Sequence, residues 1–228
     1  MIYYIFFIFF IFLVFATILN IYEMMRENNL LIESFYTNNE SIVLLGDSIL
    51  KNNSYVENGK GIDNLLTERS KSNVYSYAED GSIITDVYSQ IDKIPLEVNK
   101  KTTTIYLSVG GNDILSHYVD KMGDVTNITD LSMIFSEYVK LIESIKTRFN
   151  LCKIVLLDIY YPKTIIYKMY YSLIQKWNEM IYNYASNSKS NILILKISDI
   201  LFYDKDLIFN IEPSSSGGEK IVNSILSF

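Results

Sequence analysis

The stretch with the clearest chemical potential is SIVLLGDSIL, Ser41 to Leu50. Ile42, Val43, Leu44 and Leu45 form a short apolar run, which predicts a strand buried on both faces. Gly46 breaks the run, and Asp47 and Ser48 follow. A serine just past the carboxyl end of a buried strand sits where open α/β sheets carry their reactive groups. Gly-Asp-Ser is also ordinary turn composition, so Ser48 needs partners from elsewhere. A serine hydroxyl is a poor nucleophile unless a base takes its proton. Histidine suits that task, with a pKa of ~6.5. The chain has one histidine, His117. A carboxylate with a pKa of ~4.3 is a weaker base unless burial raises it.

Stepping outward from Ser48, strands and helices alternate. Gly61 to Arg69 has Ile62, Leu65 and Leu66 at helical spacing. Asn73 to Ala78 reads as a strand, and Glu79 to Ser82 as a turn. Ser82 to Ile94 is helical, with Ile83, Val87 and Ile91 four apart. Thr104 to Val109 is a strand followed at once by Gly110-Gly111-Asn112-Asp113, read as a loop. Leu131 to Phe149 is an amphipathic helix, Lys153 to Tyr160 a strand, and Ile166 to Tyr184 a helix. Asn191 to Ile197 supplies the fifth strand, and Gly218 to Leu226 a closing helix. This alternation predicts one α/β domain over 41–228, with a doubly wound, mainly parallel five-stranded sheet in a three-layer α/β/α sandwich. Loops at the carboxyl ends of the strands then gather Ser48, Gly81, Asn112 and Ile211 to Ser214 on one edge.

Composition excludes several classes. The net charge is −6, which gives no reason to expect a nucleic-acid partner. One histidine excludes a multi-histidine metal site, and no glycine-rich phosphate loop is present. No metal or organic cofactor is implied. The single cysteine, Cys152, permits no internal disulfide and reads as a small core residue.

The amino-terminal segment is distinct. Ile2 to Ile21 is almost wholly apolar. As a helix, twenty residues at ~1.5 Å each span ~30 Å, the hydrocarbon thickness of a bilayer. No Lys or Arg precedes the run, so a retained transmembrane anchor over 1–22 is expected rather than a cleaved signal peptide. Residues 23–40 read as a polar juxtamembrane stalk. The expected location is a single-pass membrane protein. Sequons at Asn39, Asn52 and Asn127 favour an outside or lumenal domain.

Three of the loops resemble the blocks of the SGNH hydrolases, the GDSL-type esterases and lipases. Those blocks are Gly46-Asp47-Ser48, a glycine matching Gly81, and Gly110-Gly111-Asn112-Asp113. The resemblance implies a flavodoxin-like SGNH fold and hydrolysis of ester or acyl bonds. It makes Ser48 the nucleophile. The Ser48 and Gly81 N–H groups and the Asn112 amide become donors to a tetrahedral oxyanion. Its substrates would be small-molecule, lipid or acylated-glycan esters.

The last block departs from the family's usual DxxHP. Aligning Pro213-Ser214 puts Phe209 at the acid position and Glu212 at the histidine position. The run Ile211-Glu212-Pro213-Ser214, with Gly217-Gly218 and Lys220-Ile221, resembles a branch that itself carries glutamate here. Glu212 is thus the candidate base, or a group that holds the Ser48 hydroxyl in place. Asp47, Gly111, Asp113, Asp206 and His117 are further candidates. The competing readings are a catalytically silent SGNH-fold binding module and a surface protein that uses the fold for contacts.

Overall fold

The fold is built on a parallel sheet of five short strands: β1 (Ser41–Gly46), β2 (Asn73–Ser76), β3 (Thr103–Ser108), β4 (Lys153–Leu157) and β5 (Ile192–Leu195). Their order is β2-β1-β3-β4-β5, with every neighbouring pair parallel. The computed structural model describes residues 4, 14–28, 40–119, 128–188 and 192–228. The chain forms two compact units, Met1–Glu40 and Ser41–Phe228.

Strand residues alternate between two cores, as a period of two requires. Val43, Leu45, Ile105, Leu107, Ile154 and Leu156 face one side. There they meet α2 (Ile84–Asp92), α4 (Ile128–Arg148) and α5 (Tyr171–Asn187), with Trp177 fully buried. Ile42, Leu44, Tyr106, Val155 and Leu157 face the other side, against α1 (Ile62–Arg69) and α6 (Ser215–Leu226). Three layers result, as the pattern predicted. Burying this much apolar surface at ~25 cal/mol per Å2 is the main term opposing chain entropy.

Four local features differ from the sequence reading. Gly111–Val119 is a helix, α3, rather than a loop. Strand β4 stops at Leu157, because the Asn178 amide takes both the N–H and the C=O of Ile159 (2.9 and 2.7 Å). α6 begins at Ser215, since the Ser214 side chain caps it by accepting from the Gly217 N–H. A two-stranded antiparallel hairpin, β6 (Leu207–Ile208) and β7 (Glu212–Pro213), was not foreseen. Its turn needs positive φ at Phe209 and Asn210.

In the first unit, residues 14–28 are helical and expose Phe15, Ile18, Leu19, Ile21 and Tyr22. Most of the 2–21 run lies outside the described residues, as does 29–39 of the expected stalk. Among the described residues, no helix is long and apolar enough to cross a membrane. The sequons at Asn39 and Asn127 also lie outside them. The sequon at Asn52 is corrected. Its side chain is fully buried with both amide ends hydrogen-bonded, so no transferase could reach it in the folded domain.

One backbone contact sets the edge where β1 and β3 end. A Cβ on Gly46 would lie 1.7 Å from the Ser108 carbonyl oxygen, and the Gly46 φ of +120° disfavours any side chain. Gly46→Ala is therefore expected to cost about 3 kcal/mol or more, read as a lower midpoint in urea unfolding.

Candidate active site

The site begins in the turn after β1. The Asp47 N–H donates to the Ser108 carbonyl (2.9 Å), tying this turn to the end of β3. Asp47 is buried, and its Oδ1 accepts from the Ile49 N–H (3.1 Å) and the Ser108 hydroxyl (3.0 Å). Burial pushes the Asp47 pKa up to about 7. Those two hydrogen bonds pull it down, and the charges of Glu212 and Asp113 push it up again. Behind the turn lies Gln90, fully buried on α2. Its amide accepts from the Gly46 N–H (2.7 Å) and donates to the Gly46 carbonyl (2.9 Å) and the Ser82 hydroxyl (3.1 Å). One side chain thus fixes the loops after both β1 and β2.

Gly111 and Asn112 form the first turn of α3. A helix amino terminus carries partial positive charge and free N–H groups, which favour an anion. The Asn112 Nδ2 donates to the Ser82 carbonyl (3.0 Å), which orients the amide. The amide has two N–H bonds, so one remains for a ligand. Gly81 precedes Ser82 with a φ of +75°. Among the described residues, neither the Ser48 N–H nor the Gly81 N–H donates to an acceptor.

Glu212 arrives on β7, opposite Ile208 of β6. Burial raises its pKa above the usual carboxylate range, hydrogen bonding from the Ser48 hydroxyl draws it down, and the Asp80 charge raises it. Its Oε2 is buried with no partner in full hydrogen-bond geometry. Phe209, at the position of the family's acid, is 69% exposed on the hairpin turn and gives Glu212 no carboxylate behind it.

Asp47, Ser48, Gly111, Asn112 and Glu212 line one recess that is partly open to solvent. Its remaining walls are mostly apolar, including Ile49, Leu115, Ile159, Tyr167, Ile174 and Ile211. Among the described residues that line it, none is cationic. The arrangement sets a serine, a glutamate and the Asn112 amide around the same space.

The other candidates fall elsewhere. Gly81 does not line the recess and reaches it only through Ser82 and Asn112. Asp113 turns away, and its carboxylate accepts from the Ile84 N–H (3.2 and 3.1 Å), capping α2. Burial raises the Asp113 pKa to about 6. Asp206 does not line the recess. It is fully buried and ion-paired with Lys220 (2.6 Å). Burial alone would raise its pKa, but Lys220 and the Tyr203 N–H outweigh that and lower it. The His117 backbone lies on α3, and its side chain is outside what the structure describes.

Sequence reasoning missed Gln90, Asn52, Tyr160 and Asp158. Gln90 carried a signal, because a polar residue at i+3 from Val87 falls on the helix's apolar stripe. Asp158 lines the recess and accepts from the Tyr182 and Ser198 hydroxyls. Asn52 and Tyr160 carried none.

The fold agrees with comparison to known proteins. The GDSL-like lipase/acylhydrolase family matches residues 42–205, stopping short of Glu212. The chain belongs to this family of hydrolases. A lipolytic G-D-S-L protein from Veillonella parvula superposes with a TM-score of 0.66 at 20% identity, covering 82% of this chain and 97% of that one. A family 3 carbohydrate esterase from Clostridium thermocellum gives 0.56 at 19% identity, covering 83% and 94%. A GDSL-like lipase from Bacteroides thetaiotaomicron gives 0.59 at 14% identity, covering 83% and 87%. At these identities the structures attest the fold. No curated protein matches the sequence.

Asp47 makes a test of this electrostatic arrangement. Its folded pKa of about 7 exceeds the ordinary 3.8, so the folded state holds the proton more tightly than the unfolded chain. The associated stability is complete below pH ~4 and is lost as pH rises through ~7. Urea unfolding should show wild type losing about 3–4 kcal/mol over that range from this group. Asp47→Asn keeps an acceptor for Ile49 and Ser108, and should flatten that part of the curve.

Proposed function

We propose that this chain is a serine hydrolase of ester or acyl bonds that uses Glu212 in place of histidine. The observation that carries this reading is that Ser48 and Glu212 line the same recess. In the ionised state, Glu212 takes the Ser48 proton as Oγ attacks the ester carbonyl. The carbonyl electrons move to oxygen, and the oxyanion accepts from the Ser48 N–H and the Asn112 amide, with Gly81 shaping the turn whose Ser82 carbonyl orients that amide. Collapse of the tetrahedral species expels the alkoxide, which takes the proton back from Glu212. Water then repeats the sequence on the acyl-serine and releases the acid. A carboxylate raised by burial is a stronger base than one in water, which is what the step requires.

The walls of the recess support an ester whose acyl part is hydrocarbon rather than charged. Small-molecule, lipid and acylated-glycan esters all offer such a group, and the Clostridium structure is named for carbohydrate esters. The exposed apolar side chains of the helix at 14–28 support a membrane tether through the 2–21 run.

The test is hydrolysis of nitrophenyl esters of increasing acyl length by the full chain in detergent. Ser48→Ala should abolish turnover, and Glu212→Gln should lower kcat by ~10²–10⁴. Asn112→Ala should lower kcat by ~10²–10³ through the lost oxyanion donor. Because Glu212 must be ionised to act, wild-type kcat should rise with pH through a single limb above the ordinary carboxylate range. Folded protein with no Ser48-dependent turnover on any ester would replace this reading with a binding module.

A further inference from the structure

Glu212 lacks the acid that orients the base in a serine triad, yet its position is not loose. The carbonyl just before it and the carbonyl of the next residue, Pro213, are both held from the body of the domain. The Tyr160 hydroxyl donates to the Ile211 carbonyl. The Asn52 Nδ2 donates to the Pro213 carbonyl (3.2 Å), and its Oδ1 accepts from the Ile62 N–H (2.9 Å), which opens α1. Asn52 is fully buried and Tyr160 nearly so, so water does not compete for these bonds. Burial raises the Tyr160 pKa well above its ordinary value, which keeps the hydroxyl a donor.

The rest of the hairpin is locked below. The Ser214 N–H donates to the Asp206 carbonyl (2.9 Å), and Lys220 pairs with the Asp206 carboxylate (2.6 Å). The two glycines after Ser214 make room for this. A Cβ on Gly217 would meet the Asp206 carbonyl oxygen at 2.1 Å, and one on Gly218 would meet the Asn52 Nδ2 at 3.0 Å. The Ile-Glu-Pro-Ser, Gly-Gly and Lys residues thus read as one socket around Glu212.

We propose that Asn52 and Tyr160 are positioning residues that aim the Glu212 carboxylate at Ser48, replacing through the backbone what an acid does through a side chain. This rests on Glu212 being the base. Glu212 has no flanking acid at i−3, because Phe209 stands there, exposed on the turn. Fixing the carbonyls at 211 and 213 leaves the residue between them little freedom except its own side-chain torsions. A misplacement of about 1 Å at a reacting group costs on the order of 100-fold in rate.

The experiment compares wild type, Tyr160→Phe, Asn52→Ser and Glu212→Gln in the full chain, on one nitrophenyl ester across pH. Thermal melts and circular dichroism report folding. Tyr160→Phe keeps the ring and removes only the donor, so it stands even where Asn52→Ser fails to fold. Tyr160→Phe should lower kcat by about 10- to 100-fold with KM nearly unchanged. It should also move the acidic limb of kcat to lower pH, because a freed Glu212 gains water and burial is what raises its pKa. A lower melting temperature with wild-type kcat and an unmoved limb in folded Tyr160→Phe would overturn the proposal and leave a structural role alone. Full activity in Glu212→Gln would instead overturn the reading on which it rests.

Discussion

The approach of the β1 and β3 ends is the contact on which the site depends. Gly46 leaves no room for a side chain against the Ser108 carbonyl, so the two backbones touch there. That contact brings the turn holding Ser48 beside the helix start holding Asn112. Gln90 reinforces it by binding both the N–H and the C=O of Gly46, then reaching Ser82. A fully buried amide with these partners satisfied is rigid, because each alternative rotamer would strand buried polar groups. The three loops therefore meet as one body rather than as separate mobile segments.

Negative charge is concentrated on this edge. Asp47, Asp113 and Glu212 are all raised in pKa, with burial the first cause in each case. Among the described residues, none that lines the recess offers a cation, while the amino terminus of α3 offers only partial charges. Holding carboxylates this way destabilises the folded state above the pH where they ionise. That same arrangement makes Glu212 a better proton acceptor than a solvated glutamate, so stability is lost where basicity is gained.

Much of the fold was legible because its signals are local. Short apolar runs and 3.6-residue periodicity gave five strands and most helices within a few residues. The failures share a cause. Gly110 to Asp113 reads as a loop because glycine and asparagine are turn formers, yet α3 begins there. β4 stops early because a side chain on a distant helix, Asn178, competes for its backbone. The hairpin around Glu212 has two residues per strand, too short for any periodic signal. Asn52 reads as a glycosylation sequon in the sequence and is a buried bracket in the structure.

By itself the sequence determined the candidate chemistry and its order along the chain. Ser48 and Asn112 follow strands with glycines close before them, and Glu212 stands in the Ile-Glu-Pro-Ser run, all written locally. It also determined that no histidine stands in the last block. Tertiary structure alone decided which candidates meet. Ser48, Asn112 and Glu212 share one recess, while Asp113 caps a helix and Asp206 pairs with Lys220. The pKa of a carboxylate is likewise not a property of its residue type. It is set by how much water the fold removes and which donors it leaves, and those come from segments far apart in the chain.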